Sequence, residues 1–565
     1  MNQENLQLII TGQNSSPLKP DLVAKFNEIN LPQTINLGDR GTVKVTLTNK
    51  GSAPVKGPVR VNLYTSTDEV VDRAPDGKLV NDALLGSTIE QVNLSPGESK
   101  TFDLKFDNMT SVGAPGACNL ILEVDPKNRI AESSESNNQV WEQISATGSD
   151  VVLQWNATAL NALQAEGKAG RGVPPTLGSR LLAITALSVH DAVNAFDRTH
   201  TSYAVNTPAP EGASQEAAAA AAAHRALVTL LPNQAPLFDR QLARSLAEIT
   251  DSPQSEADGV AFGNFVAETI IASRANDGSA NNSPYVPPAG DYVWRPNTEG
   301  ANVGVAVGAN WGKVKPFAIP SSAQFAPNGL DGVPGTDRFV KELEEVRVLG
   351  GKENTAATTV TRTPDQTEIA VFWAYDRPDS FRPYGQLNQI AQEIAMRENN
   401  SLGDNARLFA ELNVALADAA IVAWDAKYNS KVIQPRPDDL ITGGFAEKKG
   451  ISGTVTDPKW DPLLSPTPPF PDYISGHSSF GGAFAGVMTN FFGENYAFTA
   501  VSQELPGVSR NYNSFYDAAY DDAISRVYGG IHVREATVDD ALPTGLAVGN
   551  FVAQNLFKTV AGNPF

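Results

Sequence analysis

PPFPDYISGHSSFGGAF, residues 468–484, decides how the second half of this chain is read. A proline-rich loop runs into Ser475, and an apolar stretch of small residues follows. Ser475 is a good N-cap residue, so a helix is predicted to start there. The first turn of a helix has N–H groups without intrahelical partners at the positive end of the helix dipole, which suits an anion. Two further segments bring cations. In SRVYGGIHVRE (525–535) the paired glycines predict the end of a helix, with Arg526 before the turn and His532 after it. In AWDAKYNSKVIQPRP (423–437), Lys427 and Arg436 add two more positive charges. Three cations, the imidazoles of His477 and His532, and a helix N-terminus suit a tetrahedral or trigonal-bipyramidal oxyanion.

That cluster stands out against the rest of the chain. The 565 residues carry a formal net charge of −20, which argues against nucleic-acid binding and makes a local positive cluster informative. The composition, 41% hydrophobic and 19% charged, is that of a chain able to bury a sizeable core, and the length calls for at least two folding units. A single cysteine, Cys118, excludes an intrachain disulfide and a cysteine-based zinc site, and is expected to pack in the core. The first residues, MNQENLQLIITGQNSS, lack the basic and apolar regions of an ordinary signal peptide. No apolar run is long enough to read as a transmembrane segment.

Outward from the cluster the chain keeps a helical texture back to about residue 148. Helices are predicted at 179–197, 214–231, 236–249, 385–399, 403–426, 478–492 and 535–557. The alanine run at 217–223 reads as strong helix former and carries no functional signal. Asp438 and Asp439 are expected to cap a following segment, and the loop at 283–300 to cross the surface. Of the remaining histidines, His190 reads as a packed helix residue, and His200 and His224 as loop and helix-surface residues.

Residues 1–147 have a different period. Val43, Val45 and Leu47 alternate with polar neighbours, as do Val59, Val61 and Leu63, then Phe102, Leu104 and Phe106, then Leu120, Leu122 and Val124. Such runs, broken by Gly, Pro, Asn and Ser, predict an antiparallel sandwich. The fold class is therefore multidomain: an all-β immunoglobulin-like sandwich over 1–147 and a large all-α helical-bundle domain over 148–565.

The N-terminal part resembles the CARDB module of bacterial surface and secreted proteins. The stretches LGDRGTVKVTLTNKGSAPV (37–55), LSPGESKTFDLKF (94–106) and VDPKNRIAESSESNNQV (124–140) carry that resemblance. It implies seven strands, an adhesive or spacer role, surface, carbohydrate or protein contact, and a bacterial secreted or surface-associated protein. It implies no chemistry.

The three C-terminal segments resemble the signature shared by vanadium haloperoxidases and type-2 phosphatidic-acid phosphatases, K-x6-RP, PSGH and SR-x5-H. Ser525-Arg526 with His532 fits it fully, and Ser475-Gly476-His477 fits with Ile474 in place of proline. Eight residues separate Lys427 from Arg436 where the pattern has six, and Lys431 is the other lysine available. Lys427 is preferred because Trp424 precedes it by three residues, as in chloroperoxidase-like members. VHDAVNAFD (189–197) and FWAYDRP (372–378) also resemble family segments.

The resemblance implies a vanadate cofactor with His532 as the metal ligand, and Lys427, Arg436 and Arg526 neutralising its oxygens. Ser475 and the Gly476 N–H would donate hydrogen bonds, and His477 would be the general acid–base. Trp424 and Phe470 would line a halide pocket, and Asp376 would hold an arginine. The partners would be hydrogen peroxide, a halide (bromide first, then chloride or iodide) and a small organic molecule that is halogenated, in a chain open to oligomer formation. The rival activity is that of an acid phosphatase, with His532 as nucleophile and His477 protonating the leaving group. A non-enzymatic adhesion protein is the other alternative, and the intact set of cations and imidazoles argues against it.

Overall fold

The computed structural model describes residues 18–30, 41–66, 70–71, 73, 79, 82–106, 118–144, 150–299, 302–443, 452–505 and 507–560. The N-terminal stretch at 1–16, part of the first CARDB-like stretch, the Cys118 side chain and the junction at 145–149 lie outside them. The chain divides into two compact units, one reaching to Ile144 and the other starting at Ser145.

The first unit is built from β1 (Leu22–Asn30), β2 (Gly41–Asn49), β3 (Val55–Ser66), β4 (Asp82–Leu94), β5 (Ser99–Phe106), β6 (Cys118–Val124) and β7 (Gln139–Ile144). They form two antiparallel sheets, ordered β1-β2-β5 and β4-β3-β6-β7. Side chains of a strand alternate between faces, so one face of each sheet collects the apolar set. Val43, Val45, Leu47, Val61, Leu63, Leu104, Leu120, Leu122 and Val124 accordingly meet in one core between the sheets. Phe102 packs at its margin, only partly buried.

The second unit is helical. Its elements are α1 (Val151–Lys168), α2 (Pro175–Asp197), α3 (Gln215–Leu230), α4 (Ala235–Glu248), α5 (Pro253–Ser273), α6 (Asp337–Gly350), α7 (Pro364–Phe372), α8 (Arg382–Glu398), α9 (Leu402–Asn429), α10 (Pro437–Thr442), α11 (Gly476–Phe492), α12 (Phe515–Tyr528) and α13 (Ala541–Asn555). A hairpin of β8 (Phe498–Val501) and β9 (Ser509–Tyr512) departs from the expected all-α content. The helix expected over 535–557 is two pieces, a π turn at Glu535–Asp539 and then α13.

Small residues set the closest helix contacts. The alanines of α3 are buried, and a Cβ on Gly263 of α5 would come within 2.1 Å of the Ala218 carbonyl oxygen. The helix that carries Ser475 and His477 is held the same way: a Cβ on Gly482 would meet the Leu542 carbonyl oxygen at 2.2 Å, and one on Gly549 the Ala483 carbonyl oxygen at 2.2 Å. The Gly-Gly-Ala-Phe-Ala-Gly run of α11 is thus what lets it lie against α13.

Buried carboxylates pin the long loops. Asp191 on α2 accepts from the N–H groups of Tyr203, Ala204 and Val205 at 2.7–2.9 Å. Asp418 on α9 accepts from Phe317, Ala318 and Ile319, also at 2.7–2.9 Å. Satisfying three backbone donors each, these carboxylates let irregular chain run through a packed interior.

Candidate active site

The three segments converge. α9 delivers Trp424 and Lys427 from its last two turns, Arg436 is the residue at which α10 begins, and Ser475 and His477 occupy the start of α11. Arg526 lies in the last turn of α12, and His532 follows the turn made by Gly529 and Gly530. All are buried: Lys427, Ser475 and Arg526 are 0% exposed and Arg436 1%. Lys431 is exposed, so the structure places Lys427, not Lys431, in the cluster.

Ser475 caps α11, its Oγ accepting from the Ser478 N–H at 3.3 Å. Gly476 is required by close approach, since a Cβ there would lie 2.9 Å from Cζ3 of Trp424. Trp424 is fixed from behind, its Nε1 donating to the Val307 carbonyl at 3.0 Å. Its ring packs on Phe470 with centroids 5.2 Å apart. Lys427 Nζ and Arg436 Cζ each stand 4.8 Å from the Phe470 ring centre, so this one aromatic face supports two cations.

Lys427 donates to the carbonyls of Pro471 at 2.7 Å and Asp472 at 3.0 Å. Burial, with Arg436 beside it, holds its ammonium well below the ordinary lysine range. Arg436 donates to the carbonyls of Phe470 and Ile531 at 2.7 Å each, and from Nη1 to His532 Nε2 at 2.9 Å. Arg526 donates to the Trp373 carbonyl at 2.6 Å and to Asp376 Oδ2 at 3.0 Å.

The imidazoles are held in opposite ways. His532 Nε2 faces a guanidinium, which can only donate, so this nitrogen is the acceptor and Nδ1 carries the proton. That Nδ1–H meets Oδ1 of Asp472. His477 Nε2 lies 3.0 Å from the Ala374 carbonyl, which can only accept, so there Nε2 carries the proton and Nδ1 is the basic atom. Burial holds both rings well below the ordinary histidine range, aided by Arg436 and Lys427 at His532 and by Arg526 and Arg382 at His477. Both are therefore neutral at pH 7.

Sequence reading found Asp376 and missed three contributors. Asp376 pairs with Arg526, and its Oδ1 lies 3.8 Å from His477 Nδ1. Arg382, at the start of α8, donates to the Asp376 carbonyl. The Ala374 carbonyl orients His477, as given above. Asp472 is 0% exposed, and burial pushes its carboxyl up to about 7 against the pull of Arg436 and Lys427. The one visible signal for Asp472 was a charge inside the otherwise uncharged run before Ser475.

The remaining expectations resolve simply. His190 stacks on Phe557 at 3.6 Å and sits beside Asp191; His224 pairs with Asp239 at 2.7 Å. Asp438 and Asp439 lie inside the first turn of α10, which begins at Arg436-Pro437, and the Asp439 carboxyl reaches back to the Arg436 backbone. Asp438 instead accepts from Thr467 Oγ1 at 2.6 Å.

The donor set fits an oxyanion. Arg436 Nη2 is buried without a hydrogen-bond partner, although a buried charged N–H is costly to leave unpaired. Lys427 has spent two of its three protons on carbonyls. A group that only accepts would satisfy these donors together with the first-turn N–H groups of α11. The neutral Nε2 of His532 is a lone pair of the kind that ligates a metal.

Residues 407–562 match the family of the VCPO second helical-bundle domain, and residues 19–142 match CARDB. A vanadium chloroperoxidase of Curvularia inaequalis is 26% identical over a 505-residue alignment covering 70% of this chain and 80% of that protein. A bacterial vanadium-dependent iodoperoxidase structure is 27% identical, with a TM-score of 0.60, covering 72% of this chain and 97% of its own. The holo form of a bacterial vanadium-dependent chloroperoxidase shares the fold at 17% identity, with a TM-score of 0.53, over 68% of this chain and 92% of its own. The second unit thus has a helical fold similar to that of the haloperoxidases and a buried, donor-rich cluster of side chains. The helical unit is similar to vanadium haloperoxidases, and a CARDB-type domain precedes it in the sequence.

Proposed function

We propose that this chain is a vanadate-dependent haloperoxidase, oxidising bromide, and with it chloride or iodide, at the expense of hydrogen peroxide. The observation that carries the reading is the unpartnered Arg436 Nη2 beside a neutral His532 whose Nε2 is the free acceptor. His532 would hold vanadate through Nε2. Lys427, Arg436, Arg526, the Gly476 N–H and the Ser475 hydroxyl would hold its oxygens. When bound, vanadate(V) supplies Lewis acidity toward hydrogen peroxide without changing oxidation state.

The rest is work for the chain's own residues. The three cations offset negative charge in a pocket where burial strengthens each interaction. His477 takes and returns a proton at Nδ1, its ring anchored through Nε2 to Ala374 and its basic side near Asp376. Asp376 fixes the Arg526 guanidinium. Trp424 and Phe470 present an apolar wall beside Lys427, a setting in which a weakly hydrated halide can approach a cation. The hypohalous product halogenates a small organic molecule. The CARDB domain would act as a spacer or a contact to surface, carbohydrate or protein.

The test is bromination of a monochlorodimedone-type dye by the apo protein with hydrogen peroxide and bromide, before and after orthovanadate. Activity that appears with vanadate and falls when phosphate competes supports the reading. No bromination, with p-nitrophenyl phosphate hydrolysis that vanadate inhibits, moves the chain to the phosphatases.

A further inference from the structure

Asp472 is a fully buried carboxylate hydrogen-bonded to His532, and the family signature does not include it. It lies three residues before Ser475, in the loop that also carries Phe470. Its four polar groups reach four different parts of the site. Oδ1 takes the proton of His532 Nδ1, and Oδ2 faces the Val533 N–H at 3.4 Å. The carbonyl accepts from Lys427 Nζ at 3.0 Å, and the N–H donates to the Gln434 carbonyl at 3.0 Å. Gln434 stands two residues before Arg436. Asp472 therefore ties together the chain segments that supply the lysine, the arginine and the ligand histidine.

We propose that Asp472 is the positioning residue of His532: it locks the Nδ1–H tautomer, aims the Nε2 lone pair into the pocket, and through its carbonyl seats Lys427 beside it. The argument is one of hydrogen-bond direction. An ionised carboxylate has acceptors only, so the nitrogen facing it must be the protonated one. The other nitrogen is then unprotonated and accepts from Arg436 Nη1, a contact that is lost if the proton moves to Nε2. A carboxylate on the far nitrogen also strengthens the donation of a ligand imidazole and fixes its plane. This deepens the proposed function, on which its consequence for vanadate rests.

The variants Asp472→Asn and Asp472→Ala separate positioning from bulk structure. The amide of Asn is isosteric, but the Val533 N–H can be met only by its oxygen. Its NH2 then faces His532 Nδ1 and forces the proton onto Nε2. The first readout needs no cofactor: nitrogen NMR of apo protein labelled with 15N-histidine, in which five histidines give few signals and His532→Ala assigns the one wanted. Wild-type protein should show the Nδ1–H tautomer at His532, and Asp472→Asn the Nε2–H tautomer. Asp472→Ala should show a mixture.

The second readout is orthovanadate binding by calorimetry, with thermal unfolding recorded to establish that each variant is folded. Both variants should bind about 10- to 100-fold more weakly than wild type, Asn the more so. A folded Asp472→Asn protein that keeps the Nδ1–H tautomer, or that binds vanadate like wild type, overturns the proposal. Wild-type protein that does not bind vanadate overturns the haloperoxidase reading instead. The tautomer switch, if seen, then still supports Asp472 as the residue that sets His532.

Discussion

His532 and His477 are two imidazoles of one pocket with opposite assignments. His532 gives its Nδ1 proton to a carboxylate and offers Nε2 to the donors around it. His477 gives its Nε2 proton to a main-chain carbonyl and keeps Nδ1 free, with the Asp376 carboxylate at 3.8 Å. A carboxylate partner makes the first ring a stronger donor to a metal. A carbonyl partner holds the second ring still while leaving its basic nitrogen able to exchange a proton. The roles proposed for the two rings, ligand and proton carrier, are thus distinguished by which nitrogen the protein occupies, though both rings are neutral and buried.

The largest effects test that division directly. His532→Ala should abolish vanadate binding and peroxidase activity together. His477→Ala should leave vanadate affinity within about tenfold of wild type while bromide oxidation falls by roughly 10²–10⁴, the usual contribution of a positioned acid–base group. Calorimetric titration with orthovanadate and steady-state bromination give both numbers. If His477→Ala loses vanadate as completely as His532→Ala, the two rings share one role and the comparison breaks.

Next come the cations on the His532 side. Arg436→Lys keeps the charge but removes the unpartnered Nη2 and the forked geometry. A hydrogen bond to a charged group is worth about 1.5–3 kcal/mol, so vanadate should bind roughly 10- to 150-fold more weakly. Arg436→Lys with wild-type affinity would mean that Nη2 does not point at the cofactor.

Much of this site was legible before any coordinates, because its parts announce themselves locally. A Ser-Gly-His before small apolar residues is a helix start, and an arginine ahead of paired glycines is a helix end. The sandwich strands were legible too, since Val43, Val45 and Leu47 repeat with period two and all point into one core. What escaped depends on distant partners. Asp472 sits among prolines and aromatics, where a lone acid reads as a turn residue; its meaning comes from His532, sixty positions on. Asp191 and Asp418 lie within helical stretches, and only the fold shows the three backbone N–H groups each collects. The strands of the β8–β9 hairpin are four residues long, too short for a period to register. α12 is long enough for a period, but its Asp and Tyr residues break up the apolar face.

A smaller effect concerns pH and the His477 side. Burial and Arg526 hold the folded ring well below its ordinary range, while an unfolded histidine titrates near pH 6.5. Below that pH the unfolded chain binds a proton that the folded ring refuses. The stability contributed by the neutral ring is therefore present above about pH 6.5 and is lost as pH falls toward the depressed folded value. His477→Gln removes this term. Its unfolding free energy, followed by denaturant titration from pH 7 to pH 5, should fall less steeply than that of wild type, by up to about 1.4 kcal/mol per pH unit.

The smallest effect is expected at Lys431, and it is informative because it should be nil. Sequence spacing left two lysines for one role, since neither Lys427 nor Lys431 stands the usual distance before Arg436. The structure separates them by environment. Lys427 is 0% exposed, bound to two carbonyls of the loop that holds Asp472 and set against the Phe470 ring; Lys431 is exposed, past the end of α9. A buried ammonium is worth its desolvation only where an anion can use it, whereas an exposed one is screened by water and salt. Lys431→Ala should change stability by less than about 0.5 kcal/mol, the ordinary range for a surface substitution, and leave vanadate affinity and bromination unaltered. A loss of affinity in Lys431→Ala would reach beyond the lysine itself. It would mean that the 430–436 segment refolds when the anion binds, carrying Lys431 inward with Arg436, and that the pocket seen here is assembled only in part.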